Sequence, residues 1–440
     1  MRYGHELRVN DSLRIDPYNE AIKVQGGIKM EGKTKSNFGK FLLLWFGEFV
    51  SSIGGGLTSF GLGVYVLEKT GSAGSTSLVT LLAFLPMLLL GVPAGVLADK
   101  YDRRLLMMIG DGCSALGLIY ILVCMYMGEA TLIDICIGVT VSSVFSALLE
   151  PAYKATVTDL LTKEEFSKAN GLVSLAGSAR YLISPVIAGF LLAVSDIKLL
   201  LWIDISTFVL TVIATAVVRR GIEAKKSEEQ LSFGKSLKEG FSVIKAKKGM
   251  MTLIIMTSVI TCFMGVIQVL SSPMILAFET SKMLGIAETV CASGMLVSSI
   301  FLGIIGIKKN FVRVLSISLA LSGVGMAVFG FKENMVIIII SGFFFFAMLP
   351  FGNNSLDYLI RTNIPDDSQG RAWGIIGLIS QLGYVVSYAV AGVAADAAAE
   401  ITGAGVGRGS AVIVVISGVL LVVVSLMLLF NRNVKALEAS

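Results

Sequence analysis

Histidine and charge are both scarce in this sequence. Its single histidine, His5, stands near the amino terminus, so neither a histidine-ligated zinc site nor a histidine proton relay can be built from the rest of the chain. Only 15% of the 440 residues are charged, against about a quarter in soluble domains. Hydrophobic residues make up 55%, too many for so few polar side chains to cover in water. With a mean hydropathy of +0.81, the composition excludes a soluble globular protein and requires an integral membrane protein. The five cysteines (Cys113, Cys124, Cys136, Cys262, Cys291) fall in apolar segments without metal-ligand spacing and read as small hydrophobes. No phosphate-binding loop is present. Gly54-Gly55-Gly56 has no strand before it and no Lys-Ser or Lys-Thr after it, and reads as a close-packing or bending point in a helix. ATP hydrolysis is therefore excluded as a direct energy source, no cofactor is expected, and without a Ser/His pair or a His/Asp cluster in the spans the chain is not expected to be an enzyme.

What is present is apolar sequence in span-sized pieces. Helices crossing a bilayer need about 20 apolar residues, and twelve runs qualify, at about 39–66, 76–98, 105–128, 131–152, 171–194, 197–218, 249–278, 284–307, 312–331, 335–359, 372–395 and 410–430. The fold class is thus an all-α membrane protein of twelve transmembrane helices in two six-helix halves. The expected divisions are a tail at 1–37, a first half at 38–218, a linker at 219–248, a second half at 249–431 and a tail at 432–440. Residues 1–37 are polar and lack the apolar core of a signal peptide, so the first span is expected to act as its own insertion signal. Either Met1 or Met30 serves as a start.

Lysine and arginine set the orientation. Of 36, five lie in the odd-to-even connections (Lys69, Lys198, Lys282, Lys332, Arg408), Arg180 lies within a span, and the other 30 lie in the tails and the even-to-odd connections. The positive-inside rule then puts both termini in the cytoplasm of a multi-pass protein of the cell membrane. In the linker, Leu231, Phe233, Leu237, Phe241 and Ile244 are spaced for a helix on the inner membrane surface, and its basic charge suits anionic lipid better than nucleic acid.

One cytoplasmic connection carries more than topology. In Gly95-Val-Leu-Ala-Asp99-Lys-Tyr-Asp-Arg103-Arg104, Lys100, Arg103 and Arg104 suit a positive-inside turn. Asp99 and Gly95 need another reason. A glycine one turn before the aspartate lets a second helix approach, and the carboxylate can accept hydrogen bonds from a basic side chain and from a neighbouring helix end, forming a releasable latch. The pattern resembles the signature loop between spans two and three of the major facilitator superfamily, and the six-and-six division agrees with it. "LLLWFGEFVSSIGGGLTSFGLGVYVLEKTGSA", "EPAYKATVTDLLTKEEFSKANGL" and "NNSLDYLIRTNIPDDSQGRAWGIIGLISQLGY" are similar to the macrolide-efflux and siderophore-exporter branch, and the last two occupy equivalent places in the two halves. The resemblance implies a secondary exporter. The chain departs from drug antiporters at Ser184, where a Gly-Pro-x-x-Gly pattern has its first glycine, and in having no arginine in span four.

Charges inside spans are costly and so point to sites. Glu48 shares a helical face with Ser52, Gly55 and Ser59, and Arg180 shares one with Gly177 and Ser184. The resemblance puts both faces on the central cavity. Together they read either as a structural ion pair or as part of a transport mechanism. Asp111 is expected at the aqueous rim or the latch. Glu150, in line with Ser143 and Ser146, is expected to meet substrate from the inner side. Glu48, Asp111, Glu150 and Arg180 are the proton-coupling candidates. Ser52, Gln381, Tyr384 and Tyr388 are the substrate-cavity candidates, the last three sharing a face of span eleven. Asp204, among Thr207, Thr211 and Thr215, reads as structural, and the methionines and the Phe343–Phe346 run read as packing or lipid-facing. The expected partners are an amphipathic small molecule, a coupling proton and lipid, with no nucleic acid, acting on a monomer. The rival cargoes are a siderophore or a lipid, and the rival function is a transport-dead sensor.

Overall fold

In a computed structural model, residues 37–220, 241–242, 244–245, 247–365 and 369–438 are described. Among these the chain is helical, with no strand. The first half comprises α1 (Phe38–Thr70), α2 (Ala73–Lys100), α3 (Arg103–Met127), α4 (Leu132–Ser146), α5 (Leu149–Leu160), α6 (Phe166–Leu182), α7 (Ser184–Val194) and α8 (Ile197–Arg219). The second comprises α9 (Met250–Leu276), α10 (Ser281–Ile305), α11 (Phe311–Phe329), α12 (Met335–Asn363), α13 (Gln369–Thr402), α14 (Gly405–Phe430) and the short α15 (Arg432–Ala436). Taking α4 with α5 and α6 with α7, twelve spans are long and apolar enough to cross a membrane. Their exposed surface is rich in groups such as Leu116, Ile213, Ile304 and Met427, as lipid contact requires.

The turns between spans follow from local chemistry. α1 ends at Gly71, whose φ of 62° suits glycine and lets its amide bond to the Leu67 carbonyl at 2.8 Å. The Ser72 hydroxyl accepts the Ser75 amide to start α2, and Thr131 with Asp134 forms a capping box at the start of α4. Asp134 is thereby a structural cap. Span five breaks at Ile183 because Pro185, in the first turn of α7, has no amide to continue the helix. Span four also breaks, at Ala147–Leu148, and runs on to Leu160.

Parts of the expected tail and linker pack on the second half. The expected carboxyl-terminal tail is docked: Val434 and Leu437 are buried, Asn363 Nδ2 donates to the Leu437 carbonyl at 2.9 Å, and Glu438 accepts the Phe311 amide at 2.6 Å. Packing of apolar Val434 and Leu437 under the second half is the physical reason. In the linker, Ile244 is buried in the core of the second half; Leu231, Phe233 and Leu237, which carried most of the expected surface helix, lie outside the described residues, as does His5.

We call the end that carries both chain ends the base and the opposite end the crown. The halves meet through α2 with α13 and through α6 and α7 with α10. At the crown these helices touch through glycines. A methyl group at Gly189 would lie 2.6 Å from the Ser281 carbonyl oxygen, one at Gly285 2.9 Å from the Pro185 carbonyl carbon, and one at Gly392 2.6 Å from Ser77 Cβ. Nearer the base the same helices carry Gly91, Gly95, Gly171, Gly177, Gly303, Gly374 and Gly377, none with any neighbour within 4 Å of where a methyl group would stand. The halves are therefore closed at the crown and parted at the base.

Candidate functional site

The charged loop between α2 and α3 is clamped within the first half. Arg103 Nη1 donates to Asp159 at 2.8 Å and to the Ala155 carbonyl at 3.2 Å, both on α5. Arg104 lies 4.0 Å from the same carboxylate. Asp102 caps the Arg104 amide and pairs with Arg219 of α8 at 2.8 Å. Among the described residues Asp99 has one ion-pair partner, Arg103, at 3.9 Å, with its side chain 66% exposed, and a methyl group at Gly95 would have no neighbour within 4 Å. Of the four residues expected to form a latch, Arg103 and Arg104 hold the loop to α5, while Gly95 and Asp99 make no contact across the halves among the described residues. Asp159 and Arg219 complete this network and had no signal in the sequence beyond their charge.

The proposed cavity face of α1 is open: Gly55 has nothing within 4 Å, and Ser59 is exposed. Ser52 is half-buried on that face. The neighbouring residues turn away into the packing, Gly54 against Asp204 and Thr207 of α8 and Gly56 against Ser184. The glycine triplet is thus a close-packing point on two sides of one helix. Ser184 donates to the Ile53 carbonyl at 3.0 Å.

Glu48 and Arg180 do not pair. Arg180 Nη2 donates to Ser59 Oγ at 2.9 Å, eleven residues along α1 from Glu48, or about 16 Å. The acidic charges that act on Glu48 are instead Asp111 and Glu150, and Tyr153 is in its electrostatic range, the tyrosine hydroxyl being buried without a hydrogen-bond partner among the described residues. Asp111 is not at an aqueous rim. It is 2% exposed, because α3 packs behind the cavity against α4 and α8, where Thr211 and Asp204 are its polar neighbours. Asp204, also 2% exposed, has Thr207 Oγ1 at 3.4 Å. Glu150 pairs with Lys154 at 2.5 Å on an exposed turn. The alignment of Glu150 with Ser143 and Ser146 is lost, because the break at Ala147–Leu148 intervenes. Ser143 bonds to the Ala83 carbonyl and Ser146 to Ser114.

Across the cavity, α13 supplies an aromatic cluster with α2. The Phe84 ring centroid lies 5.8 Å from Tyr384 and 5.7 Å from Tyr388, which are 5.7 Å from each other. Tyr388 donates to Gln268 Oε1 of α9 at 2.6 Å. Gln381 lies half-buried on α13 toward the base from these rings. The structure therefore brings Tyr384 and Tyr388 together, and adds Phe84 and Gln268 from other helices.

The crown is sealed by a residue that the span pattern passed over. Asp396 of α13 accepts the Ser72 hydroxyl at 2.6 Å and the Ala73 and Gly74 amides at 2.9 Å each. A carboxylate from the second half thus caps the positive end of α2 in the first half.

Comparison with known proteins agrees with this architecture. A family model described as Major Facilitator Superfamily matches residues 44–388. Macrolide efflux protein A of Streptococcus pyogenes is 27% identical over 372 residues, covering 81% of this chain and 89% of that protein. The multidrug efflux pump Tap of Mycobacterium tuberculosis is 24% identical, covering 82% and 88%. Among solved structures, a bacterial homolog of the human lysosomal transporter Spinster, inward-facing and unoccupied, superposes with a TM-score of 0.70 at 13% identity, over 93% of this chain and all of that one. A bacterial homologue of the iron transporter ferroportin, also inward-facing, gives 0.66 at 14% identity, over 90% of this chain and all of that one.

Proposed function

The chain belongs to the major facilitator superfamily, a family of transporters, and on that footing we propose that it exports amphipathic small molecules across the cell membrane in exchange for protons. The observation that carries the reading is the cavity between the halves, parted at the base and sealed at the crown, together with a half-buried carboxyl group on α1, Glu48, that has no basic partner within ion-pair distance among the described residues. The efflux relatives support the outward direction.

In this reading the base and both termini are cytoplasmic, so cargo enters at the base and leaves at the crown. Cargo and proton compete for the cavity: Glu48 loses its proton when cargo binds from the base and regains one when cargo leaves at the crown. Asp111 and Glu150 are the charges that Glu48 senses. Because one chain encloses the whole cavity, a monomer suffices.

The defining experiment is efflux of a fluorescent dye and of a macrolide from a host deprived of its own pumps, with and without this protein. Lower accumulation of at least one of the two compounds, collapsing with the proton gradient, is expected; equal accumulation of both in the two strains overturns export. Orientation is tested separately with an impermeant maleimide on intact cells. A cysteine replacing Ile401, 86% exposed at the crown, is expected to react, and one replacing Tyr101, 59% exposed at the base, is expected to react only after lysis. The opposite result inverts the topology.

A further inference from the structure

Arg180 is the fifteenth of the 29 residues in its span, at the depth where an ionised side chain is most costly. It is nevertheless exposed. Because the crown is closed, the opening that exposes it is the cavity. Its one hydrogen bond given by the geometry is to Ser59, and no carboxylate stands within 4.0 Å of it among the described residues. Asp204, an acidic group in electrostatic range of it, is packed against Gly54 of α1. A guanidinium has five N–H donors in a planar fork, so most of this fork is free to face the cavity.

The surroundings are aromatic. Tyr181, next in sequence, is 56% exposed and is in electrostatic range of Tyr384 and Tyr388, the second of which also senses Arg180. Phe84 closes the cluster from α2. Rings from α2, α6 and α13 therefore share the cavity with one mid-depth cation that has no carboxylate within ion-pair distance among the described residues. Such a site favours a ligand with a single anionic head and a flat apolar body, because the fork matches a carboxylate or sulfonate in bidentate fashion while the rings take the body. A cationic head would meet like charge here.

We propose that Arg180, with Ser59 orienting it, is the receptor for the anionic head of the cargo, and that Phe84, Tyr181 and Tyr384 hold its apolar body. This deepens the export reading, on which it rests, by assigning the cargo to the anionic amphipaths.

The test uses two probes that share a ring system and differ in charge: 8-anilinonaphthalene-1-sulfonate and the neutral N-phenyl-1-naphthylamine. Binding is measured on the full chain in nanodiscs of zwitterionic lipid, with empty nanodiscs subtracted. The sulfonate is expected to bind at least ten-fold tighter. Arg180→Gln should remove that preference and leave the neutral probe unchanged, which also reports on folding, and Arg180→Lys should retain part of it. On the wild-type protein, 1-naphthalenesulfonate should displace the anionic probe and 1-naphthylmethylammonium should not. Equal binding of the two probes, a preference that survives Arg180→Gln, or equal displacement by the ammonium compound overturns the proposal. Anion preference in nanodiscs without efflux in cells would sink the export reading and keep this one; efflux of dyes irrespective of charge would do the reverse.

Discussion

Glu48→Gln is expected to abolish uphill export, with the ratio of external to internal cargo falling to about one, while exchange of cargo across the membrane continues at cargo concentrations high enough to offset weaker binding. The amide keeps the shape and hydrogen-bonding reach of the protonated acid but cannot release a proton. Net export needs that release once per cycle, and exchange does not. Protein yield should be unchanged, because Arg180 bonds to Ser59 and is not left unpaired by the substitution. Addition of Arg180→Gln should therefore give no rescue. Counterflow and gradient-driven transport in proteoliposomes read both halves of this expectation. Normal gradient-driven export by the variant would remove Glu48 as the carrier and leave Asp111 and Glu150.

The second large effect is expected at the crown. Asp396→Ala deletes three hydrogen bonds across the halves and removes a negative charge from the start of α2. At about 1 kcal/mol net for each bond, the equilibrium between access states moves by about 3 kcal/mol, or roughly a hundred-fold, toward opening at the crown. A cysteine at Ser52, on the cavity face, should then react with an external impermeant maleimide faster by a factor approaching that figure. Asp396→Asn, which keeps an accepting oxygen, should lie between. Unchanged labelling of the alanine variant would show that the glycine contacts alone hold the crown shut.

Hydropathy made the spans legible because each is a long apolar run between charges. It failed where helices run on in polar sequence. α5 continues through Tyr153–Leu160 and α6 starts at Phe166, five residues before the expected 171. That shift misplaced Arg180. Counted from the true starts it lies deeper than Glu48, and the pair expected from their shared cavity face does not form. Asp159 and Arg219 were hidden for a different reason: they meet Arg103 and Asp102 across 56 and 117 residues of chain. Asp396, in an alanine-rich stretch beyond the expected end of span eleven, had nothing to mark it until the start of α2 was brought alongside. Tyr384 and Tyr388 were readable because two aromatic residues four apart share one helical face, whereas Phe84 came from another half of the molecule.

The docked carboxyl terminus has a practical corollary for instrumentation. Glu438 on α11, Leu437 on Asn363 of α12, and Asn433 beside Gly249 at the start of α9 fasten the last described residues, as far as Glu438, to the second half. A fluorophore fused there inherits the motion of that half without a floppy tether, so paired with a dye on the α2–α3 loop it makes the molecule a ruler of its own opening.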